Sequence, residues 1–113
     1  MNLKKLYAAL LGSLDRDLEL YRFLFAVDMT AGALLAAVPK SYLLCGGDYR
    51  APQTAEDPLD IAAPFRIPFI AYLCAYLQKD DAKMKEALAL ADRAYLQLWR
   101  ERAKGKRLKG EKW

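Results

Sequence analysis

Carboxylates are the side chains in this sequence with the widest reach for acid–base chemistry. The chain has fourteen Asp and Glu residues, and three sets are close in sequence: Asp15/Asp17, Glu56/Asp57 and Asp80/Asp81. Two carboxylates on different segments can act as general acid and base or hold a hard cation. Each set falls at a predicted helix start or in a loop, where capping and solvation account for it. Asp28 differs because its neighbours in sequence are apolar. A carboxylate in that setting is either a buried functional group or is satisfied by an arginine, a tyrosine hydroxyl or a subunit contact.

Other chemistry is excluded by composition. With no histidine, imidazole acid–base catalysis, His-assisted nucleophiles and His metal ligands are ruled out. Cys45 and Cys74 are too few for a disulfide scaffold or a four-thiolate zinc site. They read as two reduced thiols of a cytoplasmic protein. Gly46-Gly47-Asp48 lacks the GxxxxGK[ST] pattern of a phosphate loop and reads as a turn. The expectation is a protein that is not an enzyme, with no catalytic, cofactor-binding or metal-binding residue and no cofactor.

The charge is split along the chain. Arg100, Arg102, Lys104, Lys106, Arg107, Lys109 and Lys112 face only Glu101 and Glu111 within the last fourteen residues, a net +5. The preceding 99 residues hold 11 basic and 12 acidic side chains, a net −1. Those seven basic residues are candidate contacts for DNA phosphates or an acidic partner, in a manner independent of base sequence.

The elements that position these residues follow from periodicity. Asn2 can cap a helix over residues 3–12, with Leu3, Leu6, Tyr7, Leu10 and Leu11 on one face. A second helix is expected over 15–37, ended by Pro39. Its proposed stripe is Leu18, Tyr21, Phe25, Asp28, Met29, Gly32, Leu35 and Ala36. Its second half is apolar enough to be wrapped on several sides, and Ala31-Gly32-Ala33 suits close approach of another helix.

Residues 41–45 read as a strand or an extended anchor. Asp48 to Asp60 reads as an exposed loop, long for so small a domain, and long loops are often functional. Asp48, Tyr49, Arg50, Glu56 and Asp57 are therefore candidate docking residues. A third helix starts at Pro64 or Pro68 and runs to Gln78, apolar all round and hence central. A fourth runs from Asp81 to about Lys104, with Met84, Ala87, Leu88, Ala91, Tyr95 and Leu98 inward. The fold class expected is all-α, a bundle of about four helices with a long irregular loop between the second and third. Residues 1–104 form one helical domain and 105–113 a flexible basic tail.

Leu18 to Val38 nearly matches a membrane span in length, but it contains Glu19, Arg22 and Asp28. Charges inside a lipid-exposed helix are costly, so a buried helix is expected and no membrane partner. No secretory signal is expected either, since Asp15-Arg16-Asp17 closes the first apolar stretch.

The order of elements resembles a family. A short helix leads to a long Leu- and Ala-rich helix closed by Pro39. Then come Asp57-Pro58-Leu59-Asp60-Ile61, the proline-led apolar helix Ile67 to Leu77, the break Lys79-Asp80-Asp81, and an amphipathic helix ending Tyr95-Leu96-Gln97-Leu98-Trp99. Over residues 3–99 this resembles the head-to-tail connector (adaptor) proteins of tailed bacteriophages and prophages. The resemblance implies a structural virion-assembly subunit that forms a homo-oligomeric ring at the portal. Portal and tail proteins would be its partners, with non-specific contact to the DNA being packaged. It implies location in the bacterial cytoplasm during assembly and then in the virion. The alternative is a small helical nucleic-acid-binding or regulatory protein using its basic C-terminus.

Overall fold

Asn2 begins the chain's regular structure as its spacing predicts. A computed structural model describes the backbone of residues 1–110 and the side chains of residues 1–104. The Asn2 side chain accepts the Lys5 N–H at 3.1 Å, which satisfies one free donor of the first turn. Helix α1 (Leu3–Ser13) follows, and α2 (Leu20–Ala37), α3 (Lys40–Leu43), α4 (Ala63–Leu77) and α5 (Asp81–Gly110) complete an all-α fold among the described residues.

Three boundaries differ from expectation. Residues 15–19 form a turn, in which the Asp15 carboxylate accepts the Asp17 N–H at 2.9 Å. This local bond competes with helix formation, so α2 starts five residues late. Residues 41–43 of the expected strand or extended anchor instead belong to the single turn α3 (Lys40–Leu43). Only Leu44 pairs, in an isolated antiparallel bridge with Ile61. There are thus five helices among the described residues rather than about four. Finally, α5 does not stop near Lys104 but runs on to Gly110. Lys and Arg are good helix formers and favour the negative end of the helix dipole, so Gly105 alone does not end it. The part of the expected flexible tail up to Gly110 is therefore helical in backbone, and residues 111–113 lie outside the described residues.

α4 keeps both prolines in one helix. Pro64 occupies its first turn, where no N–H is needed. Pro68 lies inside the helix and is buried; its missing N–H leaves the Pro64 carbonyl without the usual donor. At the far end Lys79 adopts a left-handed φ of 56°, and Asp80 caps α5 by accepting the Lys83 N–H at 3.1 Å. This three-residue connection returns α5 antiparallel to α4, the closest helix pair in the fold.

The core is one cluster. Phe23, Val27 and Leu34 of α2, Phe65, Phe69 and Leu73 of α4, and Ile61 before α4 are at 0% exposure. Burying each stabilises by about 1.5–3 kcal/mol relative to exposure. Leu3 and Leu10 of α1 and Ala91 of α5 close the cluster. Tyr7 joins α1 to α2, with its ring 5.1 Å from that of Phe23 and its hydroxyl donating to the Leu18 carbonyl at 2.6 Å.

The expected stripe on α2 is on the wrong face. Phe23, Ala26, Val27, Thr30, Ala31 and Leu34 are the buried set, whereas Tyr21 and Phe25 are 67% and 58% exposed. Gly32 faces open space rather than a close helix. Over its 18 residues α2 has a mean hydropathy of 1.4, long and apolar enough to cross a membrane by length and composition. In the fold it packs against α4 and α5, with 39% of that span buried. α4 likewise keeps an outer face, with Ile67 at 75% exposure.

Candidate interaction surfaces

One member of each carboxylate set is used locally, and Glu56 lies 3.9 Å from Lys4 Nζ in an exposed ion pair. Asp57 accepts the N–H groups of Gln53 and Thr54 at 2.7 and 3.0 Å, and these donors hold its carboxyl below the usual carboxylate range. Asp80 caps α5 and Asp15 caps its own turn. Among the described residues no group of three Cys, Asp or Glu side chains comes together. Every buried side-chain nitrogen and oxygen among them has a hydrogen-bond partner. Cys45 is exposed, while Cys74 is half-buried with its thiol pushed up by burial.

Asp28 is half-buried, and its partner is Tyr49, one of the candidate docking residues. The Tyr49 hydroxyl donates to Asp28 Oδ1 at 2.6 Å. The sequence offered a tyrosine hydroxyl as one solution for Asp28 but could not say which tyrosine, since the pair is 21 residues apart. The bond ties the loop of residues 45–62 to α2. Pro52 and Leu59 of the same loop are buried. Lys40 Nζ donates to Asp48 at 2.6 Å across an exposed pair, which raises the lysine and lowers the aspartate. The loop is thus a folded strap. Asp48, Arg50 and Glu56 are displayed on its outer side, and Tyr49 and Asp57 are engaged within it.

Burial, and after it the hydrogen bond to Asp28, pushes the Tyr49 hydroxyl well above its ordinary value of 10.0. A group whose proton is held more tightly in the folded state stabilises fully below its unfolded value. That contribution is lost as pH rises past it. Between pH 9 and 11.5 the wild type is therefore expected to lose more stability than Tyr49→Phe. At pH 7 Tyr49→Phe is expected to cost about 1 kcal/mol, a charge-assisted bond discounted for partial exposure. Thermal melts of both chains across that pH range check this. Identical alkaline slopes would show that the bond does not hold the strap.

The basic candidates are divided by their surroundings. Arg102 lies over the Tyr42 ring at 3.9 Å, and Tyr42 meets Tyr95 edge-on at 5.0 Å. This stack fixes α3 against α5. Arg100 and Lys104 are exposed. Lys106, Arg107 and Lys109 lie on the α5 backbone, with their side chains beyond those described, and Lys112 lies outside the described residues.

Sequence reasoning missed an apolar groove at the other end of the molecule. Tyr21 and Phe25 of α2 form one wall, with Tyr76 and Leu77 of α4 and Met84 of α5 opposite; Arg22, Lys79 and Asp81 complete the lining. The i, i+4 spacing of Tyr21 and Phe25 was the available signal. It was ambiguous because the opposite face of α2 is equally apolar. Comparison with family models, with curated proteins and with solved structures gives no match to this chain.

Proposed function

We propose that the chain is a structural assembly subunit of the head-to-tail connector kind, forming a homo-oligomeric ring at a phage portal. The observation that carries this reading is the outward display of large apolar side chains on three helices. Tyr21, Phe25, Ile67 and Trp99 are each more than half exposed, and Tyr21 and Phe25 join Tyr76, Leu77 and Met84 in one apolar groove, the kind of patch that marks an interaction site. A subunit that is buried among copies and partners in its working state gives such side chains a use. The outer face of α2 is read in the same way, as surface covered by protein rather than lipid. The strap, with Asp48, Arg50 and Glu56 outward, suits contact with a portal or tail protein. The subunit would act in the bacterial cytoplasm during assembly and remain in the virion.

The test is co-sedimentation with the portal protein encoded in the same genome, followed by electron microscopy. The expected result is a ring of this chain seated on one face of the portal. Absence of any portal binding by a folded chain would overturn the connector assignment.

A second reading rests on the exposed Arg100 and Lys104 and on the continuing helix beneath the later basic residues. A protein using these for nucleic acid would bind duplexes of unrelated sequence equally. Its log affinity would fall against log salt with a slope near −0.9 per phosphate contacted. Removing residues 106–113 is expected to leave the melting temperature unchanged, because among the described side chains the last partly buried apolar residue of α5 is Leu98. If the same truncation leaves duplex binding unchanged over a salt series, the basic end is a solvated helix terminus and this second reading falls.

A further inference from the structure

The groove between α2, α4 and α5 pairs apolar walls with a lining that is net positive. Tyr21 and Phe25 face Tyr76, Leu77 and Met84 around a volume of about 520 Å³. Tyr76 and Leu77 pack against the core behind them, so that side is preformed. Arg22 and Lys79 also line the groove, opposed by Asp81 alone. Among the described residues neither cation joins an ion pair. Asp81 lies in the first turn of α5, where the helix dipole already favours a carboxylate.

Lys79 adds a second observation. α4 ends in a Schellman turn, with Asp80 N–H donating to the Ala75 carbonyl at 2.9 Å and Lys79 N–H to the Tyr76 carbonyl at 3.1 Å. That turn puts the residue before Asp80 in the left-handed region, which glycine occupies without strain. Here it is Lys79, at φ 56°, the only residue other than glycine with a positive φ among those described. The turn gains nothing from a lysine, yet its side chain is held at the groove at a backbone cost.

Size selects the class of occupant. The α2 wall from Tyr21 to Phe25 is one turn, about 6 Å long. A docked helix places anchors at i, i+3, i+4 and i+7 and needs about 10 Å. The 520 Å³ of the groove instead falls among small-molecule sites, about 300–1,000 Å³, which are mostly apolar with a few polar groups to fix orientation. A bilayer presents a plane to this concave wall. Three aromatic rings would also suit a quaternary ammonium, but Arg22 and Lys79 repel one. We infer that the groove binds a single-chain amphiphile with an anionic head, of the fatty-carboxylate class. Its chain lies against the five apolar residues and its head pairs with Arg22 and Lys79. This goes beyond the assembly reading, which also draws on Ile67 and Trp99, so the two can fail separately.

The test titrates the full chain, carrying ¹³C-methyl methionine, with dodecanoate below its micelle concentration. The Met84 methyl resonance is expected to shift to saturation while that of Met1 stays in place. Dodecyltrimethylammonium, of the same chain length and opposite charge, is expected to bind at least about 10-fold more weakly, because like charges are set against each other. Phe25→Asp, at an exposed position, is expected to keep its circular dichroism and lose saturable binding. Lys79→Gly is expected to melt no lower than the wild type, since the strain is relieved, yet to bind dodecanoate about 3-fold more weakly, the scale of an exposed charge contact. Lys79→Arg is expected to retain wild-type affinity. An unmoved Met84, equal affinity for the two probes, or unchanged dodecanoate affinity in Lys79→Gly would each overturn the inference. Binding to anionic vesicles without binding of free dodecanoate would do the same. Portal co-sedimentation judges the assembly reading independently of all four.

Discussion

Leu73→Asp is expected to abolish the fold, whereas Ile67→Asp on the same helix is expected to leave it intact. Leu73 is at 0% exposure in the middle of α4, and Ile67 is 75% exposed on its outer face. The first substitution removes about 1.5–3 kcal/mol of apolar burial and places an unpaired carboxylate where it has neither water nor cation. The effective penalty for such an ion is several kcal/mol. Together these approach or exceed the total stability of a small domain, about 5–15 kcal/mol. The second substitution puts a charge in water, where surface changes stay within about ±0.5 kcal/mol. Far-ultraviolet circular dichroism and urea melts of the two variants check the pair. A Leu73→Asp chain that keeps its helical signal and melting point would mean that α4 is not the centre of the core. If Ile67→Asp instead reduces portal or self-association without loss of fold, the outer face of α4 is also part of the assembly surface.

That contrast shows what the sequence carried and what it hid. The helical class, the Asn2 and Asp80 caps and the inward faces of α1 and α5 were legible, because polar residues mark the outside of those helices. α2 and α4 are apolar nearly all round, so 3.6-residue periodicity cannot choose a face. In α2 it chose Tyr21, Phe25 and Met29, and the fold buried Phe23, Val27 and Leu34. The displaced stripe is one wall of the groove, so the error in the core and the missed surface have one cause. The strap was partly legible. Its prolines and length marked an irregular segment, but the pairings that order it join residues far apart in the chain. Tyr49 to Asp28 and Leu44 to Ile61 are set by where the helices bring the segment, which no local pattern encodes.

Ile61→Ala is the substitution expected to separate a strap built into the core from a loop merely laid on it. Ile61 is at 0% exposure and belongs to the same cluster as Phe65 and Phe69. Around it the two ends of the strap are closed by backbone bonds, Cys45 N–H to the Asp60 carbonyl at 3.0 Å and Ala62 N–H to the Leu43 carbonyl at 2.7 Å. The Arg66 side chain also donates to the Ile61 carbonyl at 3.0 Å. Alanine keeps every one of these backbone groups, so the change isolates the side chain's packing. Trimming a buried isoleucine to alanine costs about 2–5 kcal/mol, depending on how far the site collapses. Asp48→Ala, at the exposed crest of the same segment, is expected to cost no more than about 0.5 kcal/mol. Urea midpoints of the two variants give the comparison, and limited proteolysis between Gly46 and Asp60 gives its local consequence. Faster cleavage in Ile61→Ala with a lowered midpoint is the expected result, because opening the strap then means opening the core. A cost for Ile61→Ala no larger than that for Asp48→Ala would make the segment a detachable loop. In the first case Asp48, Arg50 and Glu56 meet a partner from a fixed platform, without the ordering cost that a loose loop incurs on binding.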